Sequence, residues 1–183
     1  MDNGACSYRR FLDDDESAFD DIMTELFFSL VFFVNRYVHN LHTAEDIAMD
    51  TFTDLIVHKN RYDFKTSLKT YLFMVGRSRA LNYIKRSKII SFTDISDINY
   101  LIDDENLPEK YTLNNERKSL IGNAIDNLPP KMREVICLIY FDDLTYDEAA
   151  RIMKKNRKQV DNLLYRAKKE LYTILGDEGK NLL

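Results

Sequence analysis

With 183 residues and 45% hydrophobic content, the chain can bury one substantial core or two small ones, and its low glycine (5) and proline (3) counts suit long helices better than a turn-rich β fold. A net charge of −4 and a pI near 5.4 argue against an autonomous, strongly basic nucleic-acid binder. The charge is unevenly placed, with carboxylates at Asp13, Asp14, Asp15, Glu16, Asp20 and Asp21 and again from Asp94 to Glu109, and cations at Lys85, Arg86 and Lys88 and from Arg151 to Lys169, so any DNA contact is expected to be local and helped by a partner.

Phe19, Ile22, Leu26, Leu30, Phe33, Tyr37 and Leu41 step by three or four, which predicts a long helix over about 17–40. Its aromatic load marks a core, and a helix that opens with Asp and Glu is a poor membrane-surface helix. The most apolar run, 26–34, falls short of the ~20 residues that span a bilayer, and it lacks a signal peptide's cationic leader and cleavage site. Cys6, in a terminus expected to be disordered, and Cys137, in an apolar helix, suggest neither a disulfide framework nor a zinc site. A cytoplasmic protein is expected.

Thr43 with Asp46 forms a capping pair for a helix over about 44–57. This helix is expected to bury Ile47, Ala48, Thr51, Phe52, Leu55 and Ile56, leaving Glu45, Asp46, Met49, Asp50, Thr53 and Asp54 outside. Such an acidic face is either solvated or docked on a basic partner. After the polar, aromatic loop NRYDFK (60–65), Thr66 or Ser67 can cap a helix that buries Leu68, Tyr71, Leu72, Val75 and Ile84. Its other side carries Lys69, Arg77, Arg79, Lys85 and Arg86 with Tyr83 interleaved. Cations neutralise phosphates and rings stack on unpaired bases, so this face suits an opened nucleic-acid strand; the plainer alternative is a solvated helix with core tyrosines.

From Ile89 to about Asn115 the helical period fails and Ser, Asp, Asn and Pro108 accumulate, which reads as a flexible acidic linker. Order returns with Leu120, Ile121, Ala124, Ile125 and Leu128, in a helix stopped by Pro129 and Pro130. Pro130 opens the next helix, whose buried stripe is Met132, Val135, Ile136, Ile139 and Tyr140. Thr145 with Glu148 is a capping box for a short helix bearing Ala149, Ala150, Ile152 and Met153. Asn156 with Gln159 starts a second helix, with Val160, Leu163, Leu164, Ala167 and Leu171 on one side and Lys158, Asn162, Arg166 and Lys169 on or near the other. This pair has the outline of a helix-turn-helix, although amphipathic helical hairpins with a cationic wet side also occur in proteins that never touch DNA.

No glycine-rich phosphate loop, GxSxG or HExxH motif is present, and Asp103 and Asp104 lie in polar linker with nothing to shift their pKa, so an enzyme is not expected. His39, His42 and Asp46 are too few to argue for a metal site, and no cofactor is expected. The expected fold is all-α, with two small helical domains, 1–90 and 116–183, joined by a flexible acidic linker at 91–115, the second domain a helix-turn-helix.

The stretches AEDIAMDTF (44–52), SLKTYLFMVGRSRALNYIKR (67–86), LPPKMREVICLIYFDDLTYDEAARIM (128–153) and NLLYRAKKEL (162–171), in this order and spacing, resemble the extracytoplasmic-function (group four) sigma factors of bacterial RNA polymerase. The resemblance implies that the acidic helix docks on the clamp helices of the polymerase's largest subunit through Asp46, Met49, Asp50 and Asp54. It implies that Asn60, Arg61, Tyr62, Lys69, Arg77, Lys85 and Arg86 capture the minus-ten element, with a non-template base flipped into a pocket. Arg157, Lys158, Gln159, Asn162 and Arg166 would read the minus-thirty-five element. The acidic linker would run through the polymerase's active-site cleft and RNA-exit channel, its carboxylates mimicking RNA phosphates. Partners implied are core RNA polymerase, promoter DNA and, by analogy, an anti-sigma factor, without membrane insertion. Three departures stand out: Tyr71 where the family usually has Trp, Met49 where it has Gln, and KKNRKQVDNL where the turn usually holds Gly and small residues, with Asp161 at a place where a cation is common. A carboxylate there repels phosphate but can accept from a cytosine amino group, so an unusual promoter sequence is expected. The rival readings are a stand-alone helix-turn-helix regulator, which leaves the basic helix 67–88 unexplained, and an all-helical adaptor with no nucleic-acid role.

Overall fold

A computed structural model describes residues 4–93 and 115–176. Their regular structure is helical, without a strand among the described residues, and they divide into two compact units. The expected linker falls mostly on 94–114, outside the described residues.

The first unit holds α1 (Ala5–Leu12), α2 (Ser17–Val38), α3 (Leu41–Val57), a 3-10 turn (Lys59–Arg61) and α4 (Leu68–Thr93). Helix α2 is the centre, with α1, α3 and α4 packed on it. Ile22, Leu26, Leu30 and Phe33 of the predicted stripe are buried, with Ala18, Val31 and Val34 beside them, whereas Phe19 and Tyr37 are half-buried and Leu41 opens α3. His39 then takes a left-handed conformation (φ 51) and ends the helix through its N–H bond to the Asn35 carbonyl. Helix α3 starts earlier than predicted. Asn40, not Thr43, is its N-cap, and the Asn40 side chain accepts from the Thr43 N–H at 2.9 Å. Ser67 caps α4 by accepting from the Thr70 N–H at 3.2 Å.

Helices α2 and α4 approach closely at Gly76, where an added Cβ would lie 2.8 Å from Leu30 Cδ1 and 3.3 Å from Val34 Cγ2. A branched side chain there must displace the buried ends of Leu30 and Val34. Gly76→Val is therefore expected to destabilise the unit by about 2 kcal/mol, the scale of core overpacking, read as a lowered midpoint in thermal unfolding.

Two boundaries differ from expectation. Helix α4 continues through Thr93, past the point where the apolar period ends in the sequence. Helix α1 was not predicted at all, and it encloses two buried rings, Tyr8 and Phe11. Cys6 is exposed on it.

The second unit holds α5 (Asn115–Asp126), α6 (Pro130–Tyr140), α7 (Tyr146–Met153) and α8 (Arg157–Leu175), with α5 and α6 packed on α8. Pro130 sits in the first turn of α6. Val135 and Ile136 are buried as expected, whereas Tyr140 lies half exposed beneath the Lys168 ammonium, 5.2 Å from its ring centroid. The stripe Val160, Leu164, Ala167 and Leu171 of α8 is buried, and Leu163 is half-buried.

Candidate functional site

Helix α3 leans its apolar stripe on α2 and turns Asp46, Met49 and Asp50 outward. Met49 is 50% exposed, an apolar spot between two carboxylates. Val57 and Ile56 extend the exposed apolar surface at the helix end, which corrects the expectation that Ile56 is buried. Asp54 differs from its neighbours. It is half-buried and held by the Arg79 guanidinium of α4, which also lies 3.5 Å from Asp50, and His58 Nε2 approaches it at 4.0 Å. Asp54 is thus committed within the unit, and the outward acidic set is Asp46 and Asp50. Of the three side chains weighed as a metal group, His42 instead faces Glu45 at 3.6 Å.

The chain next makes the 3-10 turn, which leaves Asn60 and Arg61 exposed. Tyr62, expected to meet DNA, is only 3% exposed and donates a 2.6 Å hydrogen bond to the Thr66 carbonyl. A ring so placed cannot stack on a base; it closes the loop on itself. Around it the rings of Tyr8, Phe64 and Tyr71 lie at centroid distances of 5.6, 4.6 and 5.2 Å. Burial raises the Tyr8 hydroxyl pKa to about 12 and also raises that of Tyr71. Phe64 takes a left-handed backbone (φ 59), unusual for a bulky residue, and Arg9 sits 5.0 Å over its ring. The Asp63 carboxylate accepts from the Lys65 ammonium at 2.7 Å and from the Lys65 N–H at 3.1 Å, which holds its pKa below the usual carboxylate range.

On α4, Lys85 and Arg86 are exposed, whereas Lys69 and Arg77 are half-buried, Lys69 with its ammonium 5.6 Å from the Phe73 centroid. Tyr83 is exposed between the cations. At 100° per residue Lys69, Arg77 and Lys85 follow one another in steps of about 80° around α4, with Arg86 on a further side, so the cations wind around the helix instead of lining one face.

In the second unit both capping boxes form. Thr145 Oγ1 accepts from the Glu148 N–H at 3.3 Å while Glu148 accepts from the Thr145 N–H at 3.0 Å. Asn156 Oδ1 accepts from the Gln159 N–H at 2.9 Å, and Gln159 Oε1 accepts from the Asn156 N–H at 3.0 Å. Between the boxes Lys154 is left-handed (φ 54), and the Lys155 N–H reaches the Ala150 carbonyl at 2.8 Å. The turn thus has the backbone that glycine favours, carried here by a lysine. Lys154→Gly is expected to raise stability by about 0.5–1 kcal/mol by removing the left-handed Cβ clash, seen as a higher unfolding midpoint with an unchanged helical signal.

Arg157, Lys158, Gln159, Asn162 and Arg166 all project from the exposed side of α8. Arg157 pairs with Asp147 of α7 at 3.1 Å, tying the two helices across the turn. Sequence reasoning passed over Tyr165, which is 72% exposed. It lies about two helical turns beyond Lys158 and so on the same side, a spacing that would have found it. Asp161 is exposed beside these groups.

Comparison with known proteins bears on both units. The Sigma-70 region 2 family profile matches residues 29–89 and the Sigma-70, region 4 profile matches 118–171. The ECF RNA polymerase sigma factor SigM of Bacillus subtilis is 30% identical over 135 residues, covering 73% of this chain and 80% of SigM. RNA polymerase sigma factor YlaC of the same organism is 26% identical over 153 residues, covering 83% of this chain and 88% of YlaC. Among solved structures, the sigma factor RpoE of Bartonella quintana, crystallised with the anti-sigma factor NepR, has a similar fold with a TM-score of 0.68 and 22% identity, over 86% of this chain and 96% of that one. Among the described residues no helix is long and apolar enough to cross a membrane. With region 2 and region 4 matched in the expected order, and SigM alike over most of its length, this chain belongs to the extracytoplasmic-function sigma factors of the sigma-70 family and is an RNA polymerase sigma factor.

Proposed function

We propose a division of labour along the chain. The first unit docks on the clamp helices of core polymerase through Asp46, Met49 and Asp50, with Asp54 holding Arg79 behind them. The turn Asn60–Arg61 and the cations Lys69, Arg77, Lys85 and Arg86 capture the opened non-template strand of the minus-ten element, one base leaving the stack. The second unit reads the minus-thirty-five element through Arg157, Lys158, Gln159, Asn162 and Arg166, with Asp161 adding a preference for cytosine. The chain supplies recognition and strand capture, while core polymerase supplies the chemistry of RNA synthesis, in the cytoplasm and under the control of an anti-sigma factor.

The observation that carries this reading is the segregation of exposed charge: carboxylates around a methionine on α3, cations on α4 and α8. One surface suits a basic protein partner and the other two suit phosphates. A stand-alone regulator is not favoured, since it would have no use for the first two surfaces. The test is binding of the chain, of core, and of both together to a duplex upstream fragment and to a single-stranded minus-ten oligonucleotide. Tight binding of both DNAs only when chain and core are combined supports the proposal. Equally tight binding of duplex by the chain alone would overturn it in favour of the regulator.

A further inference from the structure

Helix α1 lies against the turn and loop that the proposed function assigns to strand capture, and the contact is specific. The Tyr8 hydroxyl is 3.0 Å from the Leu55 carbonyl, in the last turn of α3, and 3.0 Å from the Lys59 carbonyl, at the start of the 3-10 turn. One proton shared between two carbonyls ties the end of the docking helix to the turn that presents Asn60 and Arg61. The same side chain, fully buried, meets the ring of Tyr62 edge-on at 5.6 Å and the ring of Phe64 at 6.1 Å. Lys59 is steadied from α1 as well, its ammonium 4.5 Å from the Phe11 centroid. The loop's left-handed Phe64 is thus enclosed by Tyr8 and Tyr62, with Arg9 above it.

We propose that Tyr8 is a positioning residue for promoter opening: its hydroxyl fixes the turn bearing Asn60 and Arg61, and its ring fixes the walls of the loop that receives the flipped base. The inference rests on the strand-capture reading above. Tyr8 is buried and touches no DNA itself. A turn held at both ends offers its donors to the strand already oriented, so ordering is not charged against binding.

The test is Tyr8→Phe, which keeps the ring and deletes the hydroxyl, assayed as holoenzyme. Affinity for a single-stranded minus-ten oligonucleotide is expected to fall about fivefold, the equivalent of about 1 kcal/mol for one hydrogen bond. Discrimination between that oligonucleotide and one with the captured base replaced should shrink with it, while core affinity and binding of the duplex minus-thirty-five fragment stay within about twofold. A merely structural loss would lower all of these together, because it removes folded protein. Unchanged oligonucleotide affinity and discrimination, or a parallel fall in every assay, would overturn the inference. Should wild-type holoenzyme itself show no preference among minus-ten oligonucleotides, the strand-capture reading fails and this inference with it, which the wild-type control reveals before any variant is made.

Discussion

Holoenzyme carrying Lys158→Glu together with Arg166→Glu is expected to lose several hundred-fold in affinity for promoter duplex. Both side chains are exposed on α8, eight residues apart and so on neighbouring parts of one face. Each removed cation forfeits a phosphate or base contact, and each new carboxylate repels the backbone, for a combined cost of about 3–4 kcal/mol. The slope of log affinity against log salt should also flatten by about two, because two fewer phosphates are neutralised. Binding titrations across a salt series check both numbers. Core affinity should not change, since α8 plays no part in the proposed docking. An all-helical adaptor would be indifferent to the change, and a several hundred-fold loss would exclude it.

The second large effect belongs to the acidic face. Asp46→Ala with Asp50→Ala is expected to weaken core binding about 30- to 150-fold, or about 2–3 kcal/mol, because truncating charges at a desolvated interface leaves the partner's cations unpaired. Thermal unfolding of the free protein should barely move for Asp46, which is exposed, and only slightly for Asp50, whose contact with Arg79 is long at 3.5 Å. Asp54→Ala should behave in the opposite sense. It leaves the half-buried Arg79 without its principal partner and costs up to about 1 kcal/mol of stability, with less effect on docking. Core affinity measured beside the unfolding midpoint for the two variants separates the roles. Equal core binding by the double variant and wild type would remove the assignment.

The helical stripes and the caps of the second unit were legible in the sequence because each is a local signal. Thr145 with Glu148 and Asn156 with Gln159 carry the two halves of a capping box within one turn, and both boxes form. What escaped was whatever depends on distant packing. Helix α1 has eight residues with two apolar contacts, Tyr8 and Phe11, too few to show a period, and its burial is created by α2 and by the end of α3. Tyr62 looked like a stacking residue because a ring in a polar loop beside cations has that chemistry. Its burial follows from Tyr8, Phe64 and Tyr71 closing around it, which no short window contains. Asp54 was indistinguishable from Asp46 and Asp50 by position on α3, and only the approach of Arg79, 25 residues later, sets it apart. The cap of α3 was misplaced because Thr43 with Asp46 is a plausible pair, whereas Asn40 directly after a left-handed His39 is a stronger one once the chain reversal is known.

As an RNA polymerase sigma factor, this chain should give core polymerase the ability to find and open promoters. The most direct measurement is permanganate reactivity of thymines around the start site of genomic promoter fragments, with the chain alone, core alone and the complex isolated from a sizing column at moderate salt. Chain and core are expected to co-migrate, and thymines to become reactive only with the complex, at fragments sharing a common upstream sequence. A chain that elutes apart from core, or a complex that leaves every fragment closed, would contradict it.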